Sequence, residues 1–379
     1  MPARIHHIDF SPVTLAEGSS LGRRPKLPGR KRPAAFHDAF EDRVLFYDAF
    51  RHADGTRALL VGPPPLNLAE AFNSARFEAL PTREKLSPRR HESLSVAVWE
   101  METPRDTTAI RLHLANEVYD IVLRPNLAED FAGRRILTNL NRDNDVEWIE
   151  EWARYHARHH GADAVVMFDN GSRRYSPNDI AERLASVPGL VSIAVTSWPH
   201  KYGPVDPAVR VNPYWPRFLQ IAALSVALRR FAPAAAGLMN CDIDELLAPG
   251  EGPVFDQLAN SRFGLIRFKG RWVPPVAAPG APSQRTHRHY PFRDPRRGRV
   301  SPGKWCLDPR RDWIAGDLGV HPYMHWIEGR PFAARFYNRR RFFWHFEALN
   351  TGWKDARAKG EGLDAARLEP DALLASVWD

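Results

Sequence analysis

The sequence predicts an α/β protein built on a mixed, mainly parallel sheet that is flanked by helices. Three observations lead to this class. From about residue 134, short apolar runs alternate with longer amphipathic segments. Two of the apolar runs end in clusters of acidic and amide side chains, where ligands bind in sheets of this kind. The chain is 44% hydrophobic over 379 residues, which is enough to form a full core.

Three segments predict helices. In "DVEWIEEWARYHARHHG" the large side chains recur at helical spacing, and Gly161 ends the segment. In "SPNDIAERLASVP" Ser176 is placed to cap the helix and Pro177 to occupy its first position. The third segment, "WPRFLQIAALSVALRRF", predicts a long and largely apolar helix.

Apolar runs between these helices predict strands. Strands that alternate with helices favour parallel pairing, with helices on both faces of the sheet. In chain order the runs are "RRILTNL", "DAVVMF", "LVSIAVTS", "AAGLMN" and "FGLIRFKG".

The rest of the chain divides the protein into three parts. Residues 1–35 are rich in Pro, Gly and Arg without periodicity, so we expect a flexible basic segment. Residues 36–130 mix short alternating apolar runs with turn residues and predict a β-rich region, whose role the sequence does not indicate. Residues 131–379 form the main domain.

Charge and cysteine content limit the possible partners. The net charge is +8, with basic stretches at 23–33 and 285–311. Such charge suits nucleic acid, anionic lipid, phosphorylated substrates or acidic polysaccharide, and a bias of the genome towards Arg explains it equally well. Because no nucleic-acid-binding signature accompanies the charge, we expect no nucleic-acid partner. Two cysteines imply no disulfide framework and fit the cytoplasm.

No segment predicts a membrane span. The longest apolar run is interrupted by Gln220 and Ser225 and is too short to cross a bilayer. We therefore expect a cytoplasmic protein, and peripheral association with the inner face of the membrane stays open.

The acids of "DIDE" are the strongest candidates for chemistry. Asp242, Asp244 and Glu245 directly follow an apolar strand, and Pro249-Gly250 limits any helix after them. Aspartates on such a turn suit Mn²⁺ or Mg²⁺, which prefer oxygen ligands and leave positions for phosphate oxygens. The alternative is that the acids only accept hydrogen bonds from the amides of the turn.

Other clusters have simpler explanations. Asp143 and Asp145 precede a helix, where such residues cap free N–H groups. The motif "HARHH" has two histidines at metal-ligand spacing on a helix, but no third ligand is near in sequence. In "HPYMH" the proline disfavours a helical ligand pair, and one of its histidines can still serve.

Together these motifs resemble glycosyltransferases of the GT-A fold, in the family 92-like and family 2-like group. The resemblance covers residues 135 to about 360 and rests on several segments. These are "NDVEWIEEWARYHARHHGADAVVMFDNGS", "DIDE", Gln220 in the preceding helix, "GKWCLDP" with a following His321, and "WHFEALNTGWKDARAKG". The chain departs from the pattern at Asp145, where the family has Glu, and in the Arg-rich stretch before Lys304.

The resemblance implies a Rossmann-like GT-A domain that transfers a sugar from a nucleotide-diphosphate donor, with a UDP-sugar favoured. A metal would lie at Asp242, Asp244 and His321, and its Lewis acidity would help the diphosphate to leave. The same resemblance places the donor against Asp169, Asn170, Asp145, Asp242 and Lys304.

The implied reaction is inverting and needs a base for the acceptor hydroxyl. The sequence does not assign it among Asp294, Asp308, Asp312 and Glu328. The expected acceptor is a glycan or lipid-linked molecule, with an anionic one left open, in the synthesis of surface polysaccharide or capsule. Four tryptophans have two open interpretations: each either stacks on a sugar ring or belongs to the core. They are Trp272, Trp305, Trp313 and Trp326.

Three other functions stay open at this point. A non-catalytic GT-A relative would bind a nucleotide or glycan without transfer. A nucleotidyl- or phosphotransferase would use similar metal–diphosphate geometry and release a different product. A basic nucleic-acid binder would show affinity that falls steeply with salt.

Overall fold

The computed structural model describes residues 3–296, 300–353 and 365–378. Its centre is a nine-stranded sheet, whose strands we number in chain order: β1 (Arg4–Ile5), β2 (Arg135–Asn141), β3 (Ala164–Asp169), β4 (Ser192–Ser197), β5 (Gly237–Asn240), β6 (Glu245–Leu247), β7 (Leu265–Val273), β8 (Val300–Leu307) and β9 (Phe342–Phe346). The spatial order is β1-β4-β3-β2-β5-β8-β7-β9-β6.

One half of this sheet is parallel, as the sequence predicts. Strands β1, β4, β3, β2 and β5 run in the same direction, with Thr138 between Val166 on one side and Asn240 on the other. The carboxyl ends of β3, β2 and β5 therefore lie at one edge of the sheet. The α/β class is confirmed.

The other half is mixed. Strand β8 is antiparallel to both β5 and β7, β9 is parallel to β7, and β6 is antiparallel to β9. Strand β6 follows β5 by only a short loop, yet β8, β7 and β9 lie between the two in the sheet. The "DIDE" loop therefore joins the last strand of the parallel half to the outermost strand of the mixed half.

Helices cover both faces of the parallel half. Helix α1 (Val146–His160) and helix α2 (Pro177–Ala185) pack on one face, and α3 (Phe218–Val226) packs on the other. Every side chain of α3 is buried, because the N-terminal region covers its outer side. A π-helical turn, Ala227–Phe231, continues α3.

The predicted helix signals are confirmed. Gly161 ends α1 with φ of 67°, in the left-handed region that glycine adopts readily. Ser176 accepts a hydrogen bond from the Asp179 amide and receives a reciprocal one, which makes a capping box with Pro177 at the first position.

The remaining helices are short. They are the α-helices Ala34–Ala39, Ala69–Asn73, Val254–Ala259, Asp312–Ala315 and Ala372–Ser376, and the 3₁₀ turns Leu66–Leu68, His287–His289, Phe332–Arg335 and Ala365–Arg367. Within the described ranges, no helix combines the length and apolar character needed to cross a membrane.

The predicted β-rich region consists of two antiparallel four-stranded sheets that pack on each other. One sheet contains Asp48–Arg51, Arg57–Gly62, Arg89–Glu92 and Ala97–Glu102. The other contains Arg76–Leu80, Lys85–Leu86, Ala109–Leu114 and Glu117–Val122. Short pairs complete the strand set: Val13–Thr14 with Val44–Phe46, Phe292–Arg293 with Glu369–Pro370, and His321–Pro322 with Ile327–Glu328.

The first 35 residues correct our expectation of a flexible segment. Strand β1 pairs with β4 at the edge of the central sheet. Arg23 is buried, and its guanidinium donates to the carbonyls of Glu41, Val44 and Pro64. A basic side chain held by three carbonyls fixes this segment against the β-rich region.

The N-terminal region and the central sheet share one core. Residues of the first four-stranded sheet pack with α3 in a single hydrophobic cluster. A buried ion pair also joins them: Arg230 Nη1 lies 2.9 Å from Asp48 Oδ2, with 2% and 0% of these side chains exposed. The N-terminal region thus supports the helix that lies behind the sheet.

Candidate functional site

The "DIDE" loop forms a tight turn between β5 and β6. The Glu245 amide donates to the Asp242 carbonyl at 3.1 Å, and the Asp242 amide donates to Glu245 Oε2 at 2.9 Å. Within this turn, Glu245 is thus the acid that accepts from a turn amide. The carboxylates of Asp242 and Asp244 are placed for other contacts.

Lys304 lies beneath the turn and holds two of its acids. Its Nζ, on β8, lies 2.6 Å from Asp242 Oδ2 and 3.0 Å from Glu245 Oε2, and 1% of the side chain is exposed. Burial alone would lower the pKa of Lys304, but the two carboxylates outweigh it and raise the pKa well above its ordinary value. Burial raises the pKa of Glu245. Lys304 is therefore a built-in cation of the site.

His345 faces the third acid from β9. Its Nε2 lies 3.1 Å from Asp244 Oδ2, and its Nδ1 lies 2.7 Å from Ser301 Oγ. The imidazole stacks on Trp272, with ring centroids 4.1 Å apart. Hydroxyl and indole together fix the ring so that Nε2 is directed at Asp244.

These residues form a candidate metal site. One ligand atom each from Asp244, Glu245 and His345 lies within 4.8 Å of the others. Two carboxylates and an imidazole suit a divalent ion such as Mn²⁺. The hydrogen bond between Nδ1 and Ser301 orients the ring, as the second nitrogen of a metal-binding histidine usually requires. The donor set thus fits the expected metal, with His345 in the role that we gave to a different histidine.

Helix α1 anchors the strand that follows the acids. Its Tyr155 Oη and His160 Nε2 donate to the Leu247 carbonyl at 2.8 and 2.7 Å. His156 Nδ1 donates to the Trp152 carbonyl, so its Nε2 accepts from the Leu247 amide at 3.3 Å. Burial lowers the pKa of both histidines, to about 3 for His160. His156 and His160 of "HARHH" are therefore neutral hydrogen-bonding groups.

A second connection from α1 reaches the middle of the turn. His287 Nε2 donates to the Ile243 carbonyl at 2.8 Å, and its Nδ1 lies 3.3 Å from Glu151 Oε2. Arg288 Nε contacts the other oxygen of Glu151 at 2.5 Å. Burial opposes ionisation of Glu151, but these donors outweigh it and lower its pKa to about 2. An ionised Glu151 thus orients the ring that holds the turn.

The "DNGS" loop at the end of β3 satisfies its own acid. Asp169 is 2% exposed, and its carboxylate accepts from Ser172 Oγ at 2.6 Å, the Ser172 amide at 2.9 Å and Asn141 Nδ2 at 2.7 Å. Asn170 donates to the carbonyls of Trp198 and His200. The predicted donor-binding roles of Asp169 and Asn170 remain predictions, and the structure gives both a part in holding this loop.

Asp143 and Asp145 differ from simple helix caps. Asp145 occupies the N-cap position of α1, but its side chain makes no capping hydrogen bond and forms an ion pair with Arg174. Asp143 accepts from the amides of Arg173 and Arg174, and its own φ is 53°. Both acids therefore connect the loops after β2 and β3, and a donor contact of Asp145 stays a prediction.

The structure does not bring His321 to the other predicted ligands. His321 is 2% exposed, belongs to no metal-ligand group among the described residues, and its pKa is lowered to about 3 by burial. The other histidine of "HPYMH", His325, lies nearer: its Nδ1 contacts the Gly303 carbonyl, and the charges of Lys304 and Asp242 act on it. His321 as a metal ligand stays a prediction, which the metal-ligand group found among the described residues does not include.

Two of the four base candidates lie at the wrong edge of the sheet. Leu307 pairs with Leu238 at the start of β5, so Asp308 follows at the edge opposite Asp242. At strand spacing this separates the two by about 15 Å. Asp308 contacts Arg310 and Arg311, and Asp312 is an exposed residue in a short helix beyond it. The strand register thus places these two candidates away from the acidic turn.

The other two candidates also lie outside the acidic turn's cleft. Asp294 lines a separate and larger cavity and accepts from the Arg296 amide. Glu328 is exposed on the short strand that pairs with His321. Neither lines the cleft beside Asp244 in the described part of the chain. The base remains unassigned.

The cleft beside Asp244 has a volume of about 50 Å³. Besides the acidic turn and His345, it is lined by residues to which the sequence analysis gave no role. Asn144 and Leu140 contribute from the end of β2, and Asn350, Thr351 and Trp353 come from the segment after β9. Their motifs "NDVEWIEEW" and "WHFEALNTGW" are in the sequence, but no spacing rule relates them to "DIDE". Residues 354–364, which continue the second motif, lie outside the described residues.

The four tryptophans separate into different roles. Trp305 is fully buried and donates to the Tyr323 carbonyl. The Trp313 indole donates to the Phe263 carbonyl. Trp326 stacks on Tyr323, with ring centroids 4.6 Å apart. Only Trp272 contacts a residue of the acidic site, through His345, among the interactions described. The core interpretation holds for Trp305.

Comparisons with known proteins give no family. No protein-family model matches the chain, and no curated protein matches it.

Proposed function

We propose that the protein is a metal-dependent glycosyltransferase with the GT-A fold. It would move a sugar from a nucleotide-diphosphate donor, with a UDP-sugar favoured, to a glycan or lipid-linked acceptor in surface polysaccharide or capsule synthesis. The observation that carries the proposal is the arrangement of "DIDE": Asp244, Glu245 and His345 converge within 4.8 Å at the carboxyl end of β5, beside a cleft.

The fold supports this proposal without deciding it. A parallel half-sheet that presents strand ends at one edge is the usual place for a nucleotide. The mixed half adds Lys304 and His345 to that edge from strands far away in sequence. This combination places a buried lysine beneath the acidic turn and an imidazole beside Asp244, where a donor diphosphate with its metal would bind.

Each side chain has a separate part in the proposed reaction. Asp244 and His345 would hold the ion, and Glu245 would complete the set or orient it from beneath. A bound Mn²⁺ or Mg²⁺ would supply Lewis-acid help to the departing diphosphate. Lys304 offsets part of the negative charge of Asp242 and Glu245, which lowers the repulsion among the three acids, and a bound divalent ion would offset the rest.

A second candidate is a non-catalytic protein that binds a nucleotide or glycan. It is favoured by one observation, that Lys304 already occupies Asp242, the first aspartate of the motif. Such a protein would bind the donor without transferring its sugar. Assays of binding and of turnover on the same sample separate the two.

The test is a thermal-shift series with nucleoside diphosphates, in Mn²⁺ and in EDTA. A ligand that binds only the native state raises the melting temperature. We expect UDP to raise it with Mn²⁺ and not with EDTA, and Asp244→Asn to remove this effect while the protein without ligand still melts cooperatively. UDP-sugar turnover should then require the same aspartate.

The matched control is Asp312→Asn, an exposed acid at the opposite edge of the sheet. We expect this variant to keep both the UDP shift and turnover. If no nucleoside diphosphate raises the melting temperature in Mn²⁺, or if Asp244→Asn responds as the parent does, the proposal is wrong. A metal-dependent shift with no turnover of any UDP-sugar would favour the non-catalytic candidate.

A further inference from the structure

A second and larger cavity lies apart from the acidic cleft. It has a volume of about 660 Å³ and lies between the second half of β7, residues 292–295 and residues 336–342. Side chains alternate across a strand, so Phe342 and Trp344 of β9 project to the face opposite His345. The cavity and the cleft share no lining residue.

The cavity has an excess of positive charge. Lys269, Arg271 and Arg339 are exposed there, and in the described part of the chain none of them forms an ion pair with a carboxylate. Lys269 Nζ lies over the Tyr337 ring at 5.4 Å, and the Arg271 guanidinium lies over Phe342 at 3.5 Å. Aromatic rings thus hold the cations in place without neutralising them.

The remaining charged groups of the lining already have partners. Arg341 is 3% exposed, and its Nε and Nη2 donate to Gln257 Oε1 and to the Gly252 carbonyl. Of the two acids in the lining, Asp371 already accepts from the Trp344 indole and the Leu374 amide. The other, Asp294, accepts from the Arg296 amide. The lining therefore suits an anion.

The rim beside this cavity is apolar and exposed. Phe332 and Phe336 are 71% and 65% exposed, among the most exposed large hydrophobic side chains described. The Arg335 guanidinium lies between them, 3.5 Å from the Phe332 centroid and 5.2 Å from that of Phe336. Phe336 also lines the cavity, so the aromatic rim and the cationic lining are continuous.

We propose that this face binds an anionic membrane surface, with a lipid phosphate in the cavity beside Lys269 and Arg271 and with Phe332 and Phe336 in the headgroup region. Aromatic rings next to arginines are the side chains that favour the membrane interface, and clustered cations bind anionic headgroups. Charge complementarity selects this occupant, since a neutral partner would leave the cations of the cavity unpaired. The proposal does not depend on sugar transfer.

The test is co-sedimentation of the full chain with vesicles, without donor or metal. We expect binding to vesicles of equal parts phosphatidylglycerol and phosphatidylcholine, and little binding to phosphatidylcholine alone. The variant Lys269→Gln/Arg271→Gln should reduce the partition coefficient about thirtyfold, because each cation near an anionic surface contributes about fivefold. Phe332→Ser/Phe336→Ser should also reduce it.

The matched control is Lys85→Gln/Arg105→Gln, which removes the same charge from exposed positions of the N-terminal region. It should bind as the parent does. All substituted side chains are exposed, and melting curves of each variant verify the fold. Equal binding to neutral vesicles, or equal loss in the control, would overturn the proposal.

Two further results would assign the cavity to another anion. If the Phe variant binds vesicles normally and inorganic phosphate competes with them, the cavity binds free phosphate and the membrane part is wrong. If an acidic polysaccharide binds and the vesicles do not, the surface receives a glycan. Because neither readout uses UDP or Mn²⁺, failure here is distinct from failure of the proposed transfer reaction.

Discussion

The two acidic strand ends of the central sheet differ in how their carboxylates are satisfied. At the end of β3, Asp169 accepts hydrogen bonds from Ser172 of its own loop and from Asn141 on the neighbouring strand. At the end of β5, Asp242 and Asp244 contact Lys304 and His345, which come from distant parts of the sequence.

This difference separates two kinds of acidic motif. Neutral donors, from the same loop or from the neighbouring strand, can satisfy an acid whose role is to shape a loop. An acid that contacts a buried lysine from a distant strand, as Asp242 contacts Lys304, requires a charge that the fold must bring to it. By this criterion we expect "DIDE" to be the functional cluster and "DNGS" to shape the loop beside it.

Of the substitutions that test this difference, removal of Lys304 should change the free energy of unfolding most. Lys304→Met leaves Asp242 and the buried Glu245 without their cation, and breaking a buried pair in this way costs about 3–5 kcal/mol of unfolding free energy. Urea denaturation measures the loss. The control, Lys85→Met at an exposed position, should change stability by less than about 0.5 kcal/mol.

The same experiment contains its own check. Adding Glu245→Gln to Lys304→Met should recover part of the loss, because the uncompensated buried charge is removed. A loss below about 1 kcal/mol for Lys304→Met alone would mean that the ion pairs contribute little and that the contrast between the two strand ends is only geometric.

Glu151 gives the next effect, and it depends on pH. Its folded pKa of about 2 lies below the value of about 4.5 for an unfolded glutamate, so the ionised form stabilises the fold. This contribution, about 3 kcal/mol, is present above pH 4.5 and is lost as the pH falls through about 2. Glu151→Gln should lower stability at neutral pH and flatten the decline between about pH 4.5 and 2.

Acid unfolding followed by circular dichroism measures this window. Glu147→Gln on the same helix is the control, since Glu147 makes no ion pair within the described residues. If the stability of the Glu151→Gln variant falls with pH in the same way as that of the Glu147→Gln variant, Glu151 does not orient His287 through its charge.

The smallest expected effects compare the two strand ends directly. Asp169→Ala removes the acceptor of three hydrogen bonds and should cost about 1–3 kcal/mol of unfolding free energy. It should weaken metal-dependent UDP binding without abolishing it, since the donor contact predicted for Asp169 is separate from the metal ligands Asp244 and His345. Asp244→Ala should cost no more than about 1 kcal/mol and remove that binding. Urea denaturation and thermal shift on both variants measure the two quantities. The opposite pattern would exchange the roles of the two loops.

Local signals were enough to predict the parallel half of the fold. The apolar periodicity of α1, the capping box at Ser176 and the glycine at 161 each act within a few residues, so the sequence shows them directly. The position of "DIDE" at a strand end followed from the same alternation. The α/β class and the β-rich N-terminal region were therefore predictable.

The other half of the site depends on pairing between distant segments. His345 meets Asp244 only because β9 pairs with β6, about a hundred residues earlier in the chain. No periodicity encodes that register, so the resemblance pointed to His321 instead. The N-terminal 35 residues misled for a related reason, since the carbonyls that hold Arg23 belong to later segments.

The contacts of Leu247 also determine where the sheet ends. Strand β6 is the last strand of the sheet, and the edge of such a strand normally offers free N–H and C=O groups to any other extended chain. Here Tyr155, His156 and His160 occupy both groups of Leu247, and Cys241 donates to the Glu245 carbonyl. The edge next to the acidic turn is thereby closed to strand addition, which protects it from domain swapping and aggregation.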